Sequence, residues 1–174
     1  KVDLIDAGAQ KNMGPAGTTL VILKEEILGK VERIIPSMLN YQVFIDKDSM
    51  FNTPPVFAVY TSMLTLEWLK DLGGIEFIEK VNKQKSALLY SEIDRNPLFK
   101  GVVVKEDRSH MNATFTLTKN NLKEKFDAMW KEANINGLDG HRSVGGYRAS
   151  MYNALPLYSV QALVDVMQEL ERIA

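Results

Sequence analysis

Val2-Asp3-Leu4-Ile5-Asp6-Ala7-Gly8-Ala9-Gln10-Lys11-Asn12-Met13-Gly14-Pro15-Ala16-Gly17-Thr18-Thr19-Leu20-Val21-Ile22-Leu23 opens the chain. Val2 to Ala7 reads as a short buried strand. Gly8 to Gly17 is a loop of small residues, and Thr18 to Leu23, β-branched and apolar, reads as a second strand. The loop is not a phosphate-binding P-loop, because no Gly-Lys-Ser/Thr stands at the required spacing. It does not match the dinucleotide fingerprint Gly-x-Gly-x-x-Gly either.

Downstream, Lys24 to Arg33 reads as a short helix interrupted at Gly29, and residues 34–55 as irregular, broken at Pro36, Asn40, Asp46, Asp48 and Pro54-Pro55. An irregular stretch of this length is uncommon in a compact domain and is often functional. Val56 to Leu72 reads as a helix, opened by the two prolines and closed by Gly73-Gly74. Its apolar residues lie on nearly every face, the pattern of a helix buried within the chain or against a partner. Gly73-Gly74 is the expected domain boundary. After it, a helix is expected over Ile75 to Ile93, with Ile78, Val81, Lys85 and Leu88 on one stripe, and strands over Val102 to Val104 and Met111 to Leu117. A helix follows around Leu122, Phe126, Met129 and Ala133. Short strands are expected at Ile135 to Leu138 and Tyr147 to Met151, and a terminal helix through Val160, Val164, Met167 and Leu170. The order α-β-β-α-β-β-α indicates an α/β or α+β layer domain.

The 174 residues are about 1.2 nominal domains of roughly 150 residues. Lys+Arg number 21 and Asp+Glu 22, so no global charge draws the chain to nucleic acid or anionic membrane. Cysteine is absent, which excludes disulfides and thiolate chemistry within this sequence, and two histidines make a His-rich metal site a poor expectation. No apolar run approaches the roughly 20 residues of a membrane span. Lys1 to Ile5 has no signal-peptide pattern, lacking an apolar core and a cleavage site, and no initiating methionine.

Three places carry residues suited to chemistry. A lysine at the end of a buried strand, such as Lys11, loses charge stabilisation by desolvation and is then a nucleophile or base. The same spacing also describes a solvated loop lysine. Asn52 and Thr53 stand at the entry to the 56–72 helix, where an N-terminus attracts anions. They equally suit a helix cap with first-turn prolines. His141, Arg142 and Arg148 lie in or beside a loop with Gly137, Gly140, Gly145 and Gly146. Two separated arginines suit a small dianion with charge at both ends, since arginine binds carboxylate or phosphate bidentately. A solvated basic turn would look alike. His110, beside Arg108, reads as a structural histidine.

Together these segments resemble the phosphoserine aminotransferases, a class V family of fold type I that uses pyridoxal 5'-phosphate (PLP). Ala9-Gln10-Lys11-Asn12-Met13-Gly14-Pro15-Ala16-Gly17 is similar to the family's lysine segment, and Met50-Phe51-Asn52-Thr53-Pro54-Pro55 to its entry into a long helix. Gly140 to Ala154, with His141-Arg142-Ser143-Val144-Gly145-Gly146-Tyr147-Arg148, resembles its substrate segment, and Ser109-His110-Met111-Asn112 a further stretch. The resemblance runs from Lys1 to Ala174 without a gap.

It implies that Lys11 binds PLP covalently and moves the substrate's α-proton, with Gln10 contacting the cofactor. It implies that Arg148 holds the α-carboxylate, and His141 and Arg142 the distal phosphate of phosphoserine or γ-carboxylate of glutamate. Asn52 and Thr53 are implied to reach the cofactor phosphate of a neighbouring subunit in a homodimer with shared active sites. The implied reaction is phosphoserine:2-oxoglutarate amino transfer in serine biosynthesis, in the cytoplasm, with no nucleic-acid or membrane partner. Residues 1–73 are then the end of the large cofactor domain, with the last part of its sheet, and 74–174 the small C-terminal α/β domain. Family members are about twice this length, so the expectation is a C-terminal half, inactive alone. It lacks the acidic partner of the pyridine nitrogen, the stacked aromatic residue, most of the phosphate cup and a further His-Arg pair. A class V enzyme for small amino acids and glyoxylate is the alternative, and the distal His141-Arg142 pair argues against it.

Overall fold

Antiparallel pairing organises both parts of the chain. The structure, a computed structural model, describes residues 2–142 and 145–174. It forms two compact units, Lys1–Asp71 and Leu72–Ala174.

In the first unit, β1 (Leu4–Gly8) pairs with β2 (Thr19–Leu23), with Ile5 opposite Ile22 and Ala7 opposite Leu20. These four share one face by the two-residue period of a strand. Ile5, Leu20 and Ile22 remain 47%, 50% and 57% exposed, so the expected burial of the strands is not met within this unit. A two-stranded ribbon offers no third strand or second layer over that face.

The expected helix over Lys24 to Arg33 shrinks to a 3-10 turn at Glu25–Ile27. Gly29 at φ +66° stands just beyond it, and so short a segment gains too few hydrogen bonds to offset nucleation. Conversely, residues 34–55 are less irregular than expected. Ser37–Leu39 forms a 3-10 turn and Tyr41–Ile45 a short helix, α1. Asn40, read as a breaker, caps α1 by accepting a hydrogen bond from the Gln42 backbone N–H at 3.1 Å.

Helix α2 (Val56–Asp71) closes the first unit. Its buried residues are the small ones, Ala58 and Ser62, one turn apart, whereas Phe57, Tyr60, Leu64 and Trp68 are exposed. The apolar faces are therefore not covered by the first unit itself.

The second unit is a three-stranded antiparallel sheet in the order β3-β4-β5, formed by Phe99–Gly101, Asn112–Leu117 and Tyr147–Ser150. Helices α3 (Gly74–Arg95), α4 (Lys123–Glu132) and α5 (Leu157–Ile173) supply the rest of its core. Strand alternation sends Ala113 and Phe115 of β4, and Tyr147 and Ala149 of β5, inward. Helical spacing does the same for Val160, Leu163, Val164, Met167 and Leu170 of α5. Phe99, Phe115, Phe126 and Tyr147 meet with ring centroids 5.0–5.8 Å apart.

Two expected strands differ. Val102 to Val104 is not a strand: β3 ends at Gly101, and Val102 and Val104 are 53% and 63% exposed. Phe99, buried at 4%, anchors β3 instead. Ile135 to Leu138 makes no strand, and the pairing there is a single bridge between Asp139 and Tyr147. The order after residue 74 is therefore α-β-β-α-β-α.

Glu92 ties α3 to α5. Its carboxylate accepts hydrogen bonds from Arg95 Nε (3.0 Å), Arg95 Nη2 (2.8 Å), Asn96 Nδ2 (2.8 Å) and Gln168 Nε2 (3.2 Å). Burial pushes this carboxyl up, but the bonds from Arg95, Asn96 and Gln168 outweigh it and hold it below the ordinary range. Asp94, hydrogen-bonded by Arg108, is also lowered. Asp127 is lowered too, its burial outweighed by bonds from Lys123, Tyr147 and Trp130. Their folded pKa values lie below the unfolded ones, so this stabilisation is full above the unfolded value and lost as pH falls through the folded value. The thermal midpoint of the second unit is expected to drop on acidification below about pH 4. Glu92→Gln should cost roughly 2–4 kcal/mol near neutrality and flatten part of that acid limb, as calorimetry across pH would show. An unchanged midpoint in this variant would contradict the assigned role.

Candidate active site

Lys11 stands in a tight turn directly after β1. The ladder ends with the Ala9 N–H donating to Thr18 O at 2.9 Å, and the Ala9 carbonyl then accepts from both Met13 N (3.0 Å) and Gly14 N (2.9 Å). Ala9 is 1% exposed and anchors the turn, while Gln10 and Lys11 face solvent. Among the described residues nothing hydrogen-bonds or ion-pairs with the Lys11 ammonium.

The turn rests on α2 through its glycines. A Cβ at Gly14 would come within 2.5 Å of Ser62 Oγ, and one at Gly17 within 3.4 Å of Ala58 Cβ. The small residues buried on α2 are therefore the seat of the lysine loop. A Cβ at Gly8 would meet Gln10 Oε1 at 2.4 Å, so the Gln10 amide is folded back over the end of β1. The resulting amine is exposed on an anchored turn. Such an amine fits an aldehyde-bearing cofactor, because condensation needs an accessible nitrogen held in place.

Asn52 and Thr53 are exposed at the approach to α2, and Asn52 Nδ2 donates to Thr53 O at 3.3 Å. They are not the helix cap. The Pro55 carbonyl accepts the first helical bond, from Val59 N at 3.1 Å, so Pro55 holds the cap position. The prolines therefore displace Asn52 and Thr53 outward from the helix end.

Arg148 sits on the edge strand β5 opposite Thr114, between buried Tyr147 and Ala149, and its side chain points away from the core. Its N–H donates to Leu138 O at 2.8 Å. The loop before it is closed by Gly145 N to His141 O (2.8 Å) and Gly140 N to Gly146 O (2.9 Å). A Cβ at Gly140 would stand 2.0 Å from Gly145 O, so only glycine fits that crossing. His141 and Arg142 are exposed on this loop. Ser143 and Val144, part of the segment that carries the resemblance, lie outside the described residues.

The candidate residues thus fall into two groups. Gln10, Lys11, Asn52 and Thr53 belong to the first unit, and His141, Arg142 and Arg148 to the second. His110 is a structural residue: its Nδ1 is hydrogen-bonded to Ser86 Oγ at 2.7 Å, and the same hydroxyl lies 3.0 Å from Lys83 O.

Sequence reasoning passed over two supports of β5. Tyr147 Oη donates to Asp127 Oδ1 at 2.8 Å, and burial, with that carboxylate, pushes the phenol pKa up. The other is Lys85, fully buried in α3, read only as one member of an otherwise apolar stripe. Its signal was a lysine at a core position of that stripe.

A family description, aminotransferase class-V, matches residues 1–163. The chain belongs to the class V aminotransferase family. It is 71% identical over 171 residues to the phosphoserine aminotransferase of Flavobacterium psychrophilum, covering 98% of this chain and 48% of that protein. Among solved structures, the phosphoserine aminotransferase of Bacillus circulans subsp. alkalophilus superposes with a TM-score of 0.92 at 40% identity, over 98% of this chain and 47% of its own. A PLP-bound phosphoserine aminotransferase from Trichomonas vaginalis gives 0.89 at 36% identity, over 96% and 48%. The chain spans about half the length of the curated relatives it matches. The architecture is accordingly part of a fold type I aminotransferase, as the class V pattern implied.

The loop geometry separates folding from chemistry. Arg148→Ala, which removes an exposed side chain, should change stability by no more than about 0.5 kcal/mol. Gly140→Ala should cost roughly 1–3 kcal/mol, because its Cβ collides with backbone. Denaturant titration of both variants checks this, and equal effects would contradict the geometry.

Proposed function

We propose that the chain carries the lysine-bearing and substrate-arginine segments of a phosphoserine:2-oxoglutarate aminotransferase that uses pyridoxal 5'-phosphate. The carrying observation is an exposed, unpaired lysine on an anchored turn, in a chain 71% identical to a phosphoserine aminotransferase. Residues 1–73 then belong to the large cofactor domain and 74–174 to the small domain. The activity belongs to a protein of the relatives' length, and the 174-residue chain alone is catalytically silent. The reading assigns the parent activity to serine biosynthesis in the cytoplasm. Among the described residues no helix is long and apolar enough to cross a membrane.

PLP, when bound, supplies the electron sink that makes the amino acid's α-proton labile. Lys11 would hold the cofactor through its Nζ, and its amine would move the substrate's α-proton as a general base and then a general acid. Gln10 lies one residue from Lys11 and contacts the cofactor. Arg148 receives the α-carboxylate through two parallel N–H···O bonds. His141 and Arg142 receive the distal anion, phosphate in one half-reaction and γ-carboxylate in the other. Asn52 and Thr53 reach the cofactor phosphate of a neighbouring subunit, which makes the assembly a homodimer. The exposed apolar faces of α2 suit that role.

Incubation with PLP, borohydride reduction and peptide mapping test the first unit directly. One stable label at Lys11, lost in Lys11→Ala, is expected. Label spread over surface lysines, and unchanged in the variant, would overturn the assignment. In a protein of the relatives' length carrying this segment, Arg142→Ala should lower kcat/KM for phosphoserine and glutamate by roughly 100-fold while sparing alanine as donor. Equal loss with alanine would count against the distal-anion role.

A further inference from the structure

Lys85 is 0% exposed, yet its ammonium is fully partnered. Its Nζ donates to Met151 O at 3.2 Å, Tyr152 O at 2.7 Å and Leu155 O at 3.0 Å. An ammonium has three donors and no acceptor, and here three carbonyls meet it. Burial lowers the Lys85 pKa, while three convergent dipoles favour the charged form. The same convergence is unfavourable without a cation, since three carbonyl oxygens aimed at one point repel one another.

These carbonyls belong to the turn that joins β5 to α5. One helical turn earlier on α3, Asn82 Nδ2 donates to Asn153 Oδ1 at 2.9 Å, so α3 grips the turn at a second point. β5 is a four-residue edge strand, paired along its length with β4 and met on its other flank by the Arg148 N–H bond to Leu138 O and the Asp139–Tyr147 bridge. The Met151 N–H bond to Met111 O (2.7 Å) is its last ladder contact before the turn. A one-residue slip would send Arg148 into the core and Tyr147 out of it.

We propose that Lys85 is a positioning residue for Arg148: by clamping the Met151, Tyr152 and Leu155 carbonyls it fixes the register in which β5 presents the arginine outward. The purpose of that arrangement rests on the reading of Arg148 as the carboxylate-binding residue. Lys85 itself touches no substrate. Its role is carried through backbone carbonyls three to seven residues beyond Arg148.

Amide hydrogen exchange, read residue by residue in the full 174-residue chain, tests the clamp. Lys85→Met keeps the apolar stem and removes the donors. The Arg148 and Met151 amides should exchange roughly tenfold faster or more, while Leu163 and Met167 in α5 stay within about threefold. Unchanged exchange at β5, or the same acceleration in α5, overturns the proposal. Should Lys85→Met fail to fold, Asn82→Ala decides by the same comparison: acceleration confined to Arg148 and Met151 sustains the clamp, and its absence overturns it. Calorimetric titration with phosphoserine, in a PLP-loaded protein of the relatives' length carrying this chain, separates the clamp from the reading beneath it. Binding by the unaltered protein, loss in Arg148→Ala and weakening in Lys85→Met support both. Unchanged binding in Arg148→Ala counts against the carboxylate role of Arg148, and the exchange result then still decides the clamp.

Discussion

The buried ring of Tyr147 governs the second unit. It stacks on Phe115, meets Phe126 edge-on and spends its hydroxyl on Asp127. In a strand, a residue fixed inward forces its neighbour outward. Arg148 is exposed because Tyr147 and Ala149 are not. The glycine-rich loop upstream inherits the same constraint. Gly146 takes φ +67° where a Cβ would press on Phe115 O at 2.8 Å, so the chain enters the aromatic cluster at once. Core packing and the aim of a charged side chain are here one problem.

The first unit solves a different problem with little burial. Its buried side chains among the described residues are Ala9, Ala58 and Ser62. Small residues permit the close approach of loop and helix that holds the Lys11 turn. They cannot supply much hydrophobic stabilisation, which scales with apolar area removed from water. The large apolar side chains of β1, β2 and α2 face solvent instead. Within this unit the turn is defined locally, by the Ala9 carbonyl and two glycine contacts, rather than by a deep core.

Periodic segments were the legible part of the sequence. Helices α3 and α5 and strand β4 follow from spacing, because one face of each was patterned, and α2 from the prolines and glycines that bound it. Val102 to Val104 misled because β-branched residues suit strands in general, whereas burial of Phe99 decided where the ladder ran. Asn40 looked like a breaker because capping depends on the φ/ψ of one residue, which composition does not encode. The positions of Lys11 and Arg148 on their loop and strand were readable from motif and alternation. The separation of Asn52 and Thr53 from the helix cap was not, because it turns on which proline accepts the first helical bond. Lys85 was legible only as a lysine in an apolar stripe. Its meaning needed the three carbonyls from a turn about seventy residues away.

In the proposed function, Lys11 and the arginines of the second unit serve amino transfer from phosphoserine. The most direct measurement is a single-turnover half-reaction in a PLP-loaded protein of the relatives' length carrying this chain. The oxo acid released from phosphoserine is quantified without any acceptor present. The account predicts stoichiometric oxo acid per Lys11 and none from Lys11→Ala. The same yield from Lys11→Ala, or an equally fast reaction with alanine in place of phosphoserine, would contradict it.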